Sequence, residues 1–332
     1  MIGGGITGVS LLYWLRGRAD AVLVERDRLA AGASGRNAGF LLAGVAACYA
    51  EAVRRFGRER ARSIWAFTAE THDLLASALE GREVGYRRNG SEILPAGPEE
   101  AGELAVSAEL LREDGFAASW NGERLLNPRD GELNPLAAVS ALAEMGREGS
   151  IREGVQVDTV EASAGGVRVG AGARECLAGA VVLATNAYTS LLLPAVKIAP
   201  VRAQMLGTAP EPGRLVERPT YCDRGFRYWR QLPDGGLLAG GFRHHALEEE
   251  VGYDAMPTAR VQALLDQEVR RLGVRAPVTH RWAGIMGFTE DELPLVGPVP
   301  GHQGVHVCGG YSGHGMGFAF QCARQLAGQL VG

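Results

Sequence analysis

The sequence predicts an α/β protein in which a dinucleotide-binding unit is assembled from separated segments and an α+β unit built on an antiparallel sheet is inserted between them. Three observations lead there. Gly3-Gly4-Gly5-Ile6-Thr7-Gly8 has the spacing GxGxxG and opens a helical pattern followed by an apolar strand ending in Glu25. Parallel-type strands, apolar along their length, lie towards both ends of the chain. The middle carries short strands separated by turn chemistry such as Pro233-Asp234-Gly235-Gly236.

Taken in order, residues 6–16 read as a short helix and 21–25 as a buried strand. Ile64, Phe67, Thr71, Leu74, Leu75 and Ala78 fall at helical spacing and predict an amphipathic helix over 58–80. Asn89-Gly90 lies between strand-like runs at 84–88 and 91–95 and predicts a hairpin. Helices are expected at 99–113 and, after Asn134-Pro135, at 136–149. Strands follow at 154–161, 166–170, 174–178 and 180–184, and the stretch 200–245 is strand-rich. A helix at 258–272, a strand at 304–309 and a helix at 315–330 complete the series.

Composition narrows the function. Glycine supplies 47 of the 332 residues, roughly twice ordinary usage. No G-X-Y period accompanies it and 46% of residues are hydrophobic, which excludes collagen and disorder. The surplus therefore serves tight turns, left-handed backbone or close approach to a ligand. A net charge of -4 provides no overall field for nucleic acid or an anionic membrane. Lys197 is the only lysine among 34 basic residues. Cys48, Cys176, Cys222, Cys308 and Cys322 are scattered without a CxxC pair, so they read as small buried thiols, with neither disulfides nor a metal site expected. No apolar run reaches the roughly 18 residues of a membrane span, and no basic segment leads into an apolar core at the N-terminus. The cytoplasm is the default location.

In the glycine loop, Gly3 permits the tight turn, Gly5 lets the backbone approach a pyrophosphate, and Gly8 allows close helix packing. The helix starting here directs its positive end at the phosphates. Glu25, 20 residues after Gly5, stands where a carboxylate accepts hydrogen bonds from a ribose. Such a loop ordinarily follows a strand of about five residues, yet only Met1 and Ile2 precede it. The expectation is that the natural chain starts upstream and that Met1 stands in for an internal residue of a central strand.

Further motifs decide between cofactors. Gly32-Ala33-Ser34-Gly35-Arg36-Asn37-Ala38-Gly39-Phe40 follows the ribose acid. Asp291-Glu292-Leu293-Pro294-Leu295-Val296-Gly297 and then Gly309-Gly310-Tyr311-Ser312-Gly313-His314-Gly315-Met316-Gly317-Phe318 lead into the last helix. This ordered set resembles the FAD-dependent amine and amino-acid oxidoreductases of the D-amino-acid oxidase superfamily, near the glycine oxidase, sarcosine oxidase and gamma-glutamylputrescine oxidase branches. An NAD-only dehydrogenase leaves the C-terminal motif unexplained.

The resemblance implies a Rossmann-like FAD-binding domain from segments 1–82, 134–199 and 278–332, and a substrate domain from 83–133 and 200–277. It implies that Gly3, Gly5, Ile6, Thr7 and Gly8 face the pyrophosphate, with Glu25 and Arg26 at the adenosine end. Ser34, Arg36, Asn37, Ala38, Gly39 and Phe40 would pass the pyrophosphate and flavin ring, while Val157 and Thr185 would border adenine. Gly310, Gly313, His314, Gly315 and Met316 would surround the pyrimidine edge, where a helix N-terminus suits the negative charge of a reduced ring.

The substrate side departs from those relatives. Their arginine in an AGLR-type segment corresponds to Met286 in Ala283-Gly284-Ile285-Met286, and the lysine after SGHG corresponds to Gly317. A covalent-flavin cysteine aligns near Gly284, so noncovalent FAD is expected. No lysine lies in 237–242 to assist oxygen, and Lys197 is poorly placed to replace it. The candidates for chemistry are Tyr228 over the flavin, His314 through its charge, and Arg36 on a substrate anion or a phosphate. Arg243, His244 and His245 end the next strand, facing either the cleft or solvent. The activity implied is hydride transfer from the C–N carbon of an amine or amino acid to flavin N5, hydrolysis of the imine, and reoxidation by oxygen or another acceptor. The alternatives are a flavoprotein subunit whose substrate or electron-partner site is completed by another chain, or a fragment that binds no flavin. A homo-oligomer or a place in a larger complex fits either active reading.

Overall fold

The computed structural model describes residues 1–146 and 150–332; the end of the helix expected over 136–149 falls outside them. A parallel sheet forms around the shortest of its members. Val22–Val24 pairs with Ser150–Arg152 on one side, and Val181–Leu183 pairs with Val305–Gly309 on the other. Ile2 bridges the two halves, in parallel register with both Val24 and Leu183. Its N–H donates to the Val182 carbonyl at 2.9 Å, and its carbonyl accepts from Ala184 N at 2.8 Å. Ile2 thus holds the central position expected for the strand before the glycine loop.

Helix Ile6–Leu15 covers one face of this sheet. It is apolar nearly all round, so it is buried on most sides, between the sheet and the last helix, Gly315–Val331. Trp14 seals the helix pair: its ring centroid lies 4.9 Å from that of Phe320, and its Nε1 donates to the Phe320 carbonyl at 3.0 Å. The other face receives an antiparallel meander, Thr159–Ser163, Gly166–Ala171 and Arg174–Ala178, whose valines join Ile2, Val181 and Leu183 in one apolar cluster.

A second, eight-stranded sheet stands beside it. Its longest pairing joins Ala199–Pro210 to Val278–Phe288, antiparallel from Ala199 opposite Phe288 to Thr208 opposite Val278. The sequence reading contains no strand at 278–288, because its first half is polar and its second half carries glycines. Pairing along most of the length of its neighbour supplies what its own pattern lacks.

Two expectations are corrected. Asn89-Gly90 does not make a hairpin: Arg87 bridges Glu132, while Ser91–Leu94 pairs with Leu125–Asn127 and, in parallel, with Thr220–Cys222. Gly90 does take a left-handed φ of 77°, but its N–H donates to Asp130 O, so the turn kinks a strand instead of reversing it. Of the strand expected at 154–161 only the end forms, within Thr159–Ser163, and a separate strand, Ser150–Arg152, precedes it. Between them Gly154 and Val155 donate to the carbonyls of Asp27 and Glu25, drawing this connection against the end of strand Val22–Val24. Among the thiols, Cys222, Cys308 and Cys322 are buried as expected, whereas Cys48 is half-buried and Cys176 exposed. No helix among the described residues is long and apolar enough to cross a membrane.

One buried ion pair fixes the segment that walls the cavity described below. Arg202 grips Glu250 through Nε at 2.9 Å and Nη2 at 3.0 Å, with the side chains 7% and 1% exposed. Gln204 Nε2 reaches the same carboxylate at 2.8 Å, and Arg202 Nη1 reaches the Met256 carbonyl at 3.2 Å. Removing one partner strands the other charge, so Glu250→Ala is expected to lose about 3–5 kcal/mol, read by urea unfolding. Asp130 supplies a pH signature. Burial pushes its carboxyl up to about 7, although Ser91 Oγ and Ala43 N donate to it. The folded protein keeps a proton that the unfolded chain releases from about pH 4 upward, so stability falls as pH rises towards 7. Asp130→Asn is expected to flatten that decline, seen as a gain in urea midpoint over wild type at pH 8 that shrinks at pH 5.

Candidate functional site

A cavity of about 970 Å³ runs between the two sheets, at the upper end of the usual range for ligand pockets. Its first wall is the glycine loop. Gly3 takes φ 109°, and a Cβ there would sit 2.6 Å from the Ala184 carbonyl oxygen. A Cβ on Gly8 would lie 1.9 Å from the Gly3 carbonyl oxygen, so the helix is packed onto its own entry turn. Gly5, extended and without a side-chain cap, opens the helix towards the cavity. Ile6 and Thr7 form the first turn and line the same wall. Glu25 closes this end, its Oε2 accepting from Gly4 N at 2.6 Å and its Oε1 from Asp27 N at 2.9 Å. Arg26 lies beside it, paired with Asp27 and placed 5.1 Å from the Tyr188 ring centroid. Val157 and Thr185 line the cavity nearby, Thr185 bonded to the Thr189 hydroxyl at 2.9 Å.

The second loop folds into a single helical turn, Ala33–Arg36, locked from within. Asn37 Nδ2 donates to Ser34 O at 2.8 Å while its Oδ1 accepts from Gly39 N at 2.7 Å. Ser34 Oγ accepts from Ile6 N at 2.9 Å and so caps the first helix from a distant part of the chain. Arg36 does not present a free cation: Nε donates to Ala31 O and Nη1 to Ala283 O, each at 2.8 Å. It staples the loop to strand Val278–Phe288 while lining the cavity. Gly39, at φ 76°, packs against the Leu133 carbonyl behind the wall, and Ala38 and Phe40 turn back into it.

The third wall is the turn before the last helix. Gly310 is left-handed, buried against Thr289 and outside the lining; its N–H donates to Asn186 Oδ1 at 2.8 Å. Asn186, at φ 48°, was not singled out from sequence; an Asn directly after an apolar strand was the available signal, since Asn tolerates that conformation. Gly313, His314, Gly315 and Met316 line the cavity, with His314 at the cap position and no side-chain cap on the helix. Burial pushes His314 down to about 4, against smaller upward pulls from the Ser312 backbone and Glu292. The imidazole is therefore neutral near pH 7, contrary to the expectation that its charge acts. Ser312 Oγ and His314 Nδ1 are buried without a partner. Two helix N-termini, the second of them uncapped and flanked by orphaned polar atoms, and glycines that a Cβ would clash at fit a long anionic cofactor with a polar ring edge.

The remaining volume is aromatic. Tyr228 lies across Gly240, where a Cβ would meet its ring at 2.3 Å, and burial pushes its hydroxyl up to about 12. Phe40 and Tyr221 flank it at centroid distances of 6.2 and 6.0 Å, and Tyr221 also sits 5.9 Å from His314. Tyr221 carried no sequence signal beyond being aromatic. Of the trio after the next strand, Arg243 lines the cavity and the histidines do not: His244 Nε2 faces Asp223 at 3.2 Å, and His245 is exposed. Lys197 is exposed and outside the lining.

Gly8→Ala tests the first wall. Overpacking by one methyl costs roughly 1–3 kcal/mol of stability, and because Gly8 packs behind the lining against Gly3, that loss is expected in the urea unfolding of the Gly8→Ala variant.

Comparison with known proteins fits this geometry. The sequence profile of the FAD dependent oxidoreductase family (DAO) matches residues 1–329. A bifunctional tRNA 5-methylaminomethyl-2-thiouridine biosynthesis protein, MnmC of Maricaulis maris, is 26% identical over 335 residues, covering 100% of this chain and 52% of that protein. The chain thus spans about half the length of that relative. Gamma-glutamylputrescine oxidoreductase of Escherichia coli is 24% identical over 361 residues, covering 100% of this chain and 82% of its own. Among solved structures, glycine oxidase from Geobacillus kaustophilus superposes with a TM-score of 0.81 at 20% identity, over 99% of this chain and 93% of that one. L-Proline dehydrogenase from P. horikoshii gives 0.80 at 18%, over 99% and 91%. These two share the fold. With the profile spanning both sheets and all three walls of the cavity, the chain belongs to the DAO family of FAD-dependent oxidoreductases.

Proposed function

We propose that the protein oxidises the C–N bond of an amine or amino acid, using FAD held noncovalently with its pyrophosphate at Gly3–Thr7 and its ring edge at Gly313–Met316. The observation that carries this reading is the convergence of two helix N-termini on one cavity whose remaining lining is aromatic. When bound, FAD supplies a ring that accepts a hydride. The chain supplies position and field. N–H groups at the start of the last helix stabilise negative charge at the ring edge without reorganising. Phe40, Tyr221 and Tyr228 exclude water and confine the substrate over the ring. The lining carboxylates, Glu25 and Asp27, lie at the nucleotide end, so under this reading the amine binds in its uncharged form, which leaves no ammonium proton for a side chain to take. None of the five cysteines lines the cavity, which supports noncovalent attachment.

The purified protein is expected to be yellow, with bands near roughly 370 and 450 nm, and acid precipitation is expected to release the flavin. Anaerobic addition of amines and amino acids is expected to bleach the 450 nm band, and admitting air then tells whether oxygen restores it. Failure of every amine and amino acid to bleach the flavin would falsify the reading.

A further inference from the structure

Resting on that reading, we infer that Arg243 anchors a carboxylate on the substrate, and that the substrate is an amino acid in preference to a simple amine. Phe242, held at φ 63°, ends strand Gly236–Gly241 and turns the chain so that Arg243 lines the cavity. Its guanidinium carbon lies 4.6 Å from the Phe226 ring centroid and 5.0 Å from that of Phe288. Two aromatic rings therefore hold the group, and its hydrogen-bonding edge is left for a planar acceptor.

No acceptor from the chain uses that edge among the described residues. The carboxylate that acts on Arg243 is Glu292, at Coulombic range and itself paired with Arg55 at 2.7 Å, while Tyr228 nearby keeps its proton. Of the other cavity-lining arginines, Arg26 is paired with Asp27 and Arg36 is bonded to two carbonyls, while Arg28 is exposed at the nucleotide end. A half-buried cation without a counter-charge is costly unless a ligand brings one. The position is right for that ligand. Phe288 follows Gly287, whose carbonyl accepts from Ser312 N at 2.8 Å, one residue before the turn assigned to the flavin edge. On the same strand as Phe288, Met286 sets its sulfur beside Gly313, so Arg243 and the flavin-edge turn face one part of the cavity.

The test pairs each amino acid with the amine it would give on decarboxylation and follows anaerobic flavin reduction by the holoenzyme. Propionate titration, read in the flavin absorbance, reports carboxylate binding without turnover. Wild type is expected to favour the amino acid of at least one pair on the order of 10²-fold in kcat/KM. Arg243→Met should lose that preference and propionate binding while keeping its flavin and melting temperature; Arg243→Lys should retain part of both. If amines bleach the flavin as well as amino acids do, the assignment of Arg243 fails while the oxidation reading stands. Persistence of preference and propionate binding in Arg243→Met has the same meaning. If neither amines nor amino acids bleach the flavin, the oxidation reading falls and this inference with it.

Discussion

Everything at the site depends on two helices from opposite ends of the sequence lying side by side. Thr7 Oγ1 and Tyr311 OH meet at 2.8 Å in a buried hydrogen bond that links positions 304 residues apart. It sits where both helices begin, so the two positive ends are held to one side of the parallel sheet. The close approach is steric before it is polar. Gly8 lets the first helix rest on the Gly3 carbonyl, and Gly317 lets the last rest on the Leu42 carbonyl, which a Cβ would meet at 2.9 Å. A larger side chain at either place moves a helix end away from the cavity, and with it the field the cavity uses.

Burial governs the rest of the electrostatics. His314 is held neutral and Tyr228 protonated because the loss of water outweighs the opposite charge near each, Glu292 for the imidazole and Arg243 for the phenol. The cavity is polarised by backbone dipoles and by guanidiniums that stay charged instead of by titrating side chains. Charge is kept to the margins: Glu25 and Asp27 at the nucleotide end, and the Arg202–Glu250 pair beneath the segment bearing Tyr253.

The parallel unit was legible because its signals are local. The glycine loop, the strand ending in an acid and the last helix each announce themselves within a dozen residues, and the structure places them together at Ile2, Val24 and Leu183. The antiparallel sheet was less legible because its strands are specified by partners. Val278–Phe288 has no pattern of its own, and Asn89-Gly90 has good turn residues but arms that pair elsewhere. Site residues divide the same way. Gly5, Ser34 and Gly313 follow from motif position, whereas Asn186, Tyr221 and the separation of Arg243 from His244 follow from how distant segments face one another. Arg36 shows the limit of motif reasoning: its place was legible, but its commitment to two carbonyls was not.

The bond between Thr7 and Tyr311 also orders events during synthesis. A ribosome releases residues 2–8 long before 311–317, so the early wall of the cavity waits, uncovered, for nearly the whole chain to emerge. Until then the apolar first helix lacks the partner that hides Trp14, and no nascent intermediate owns a finished binding surface. The binding surface is therefore finished only once the last helix has docked, and until then its apolar partner surfaces stay open to aggregation.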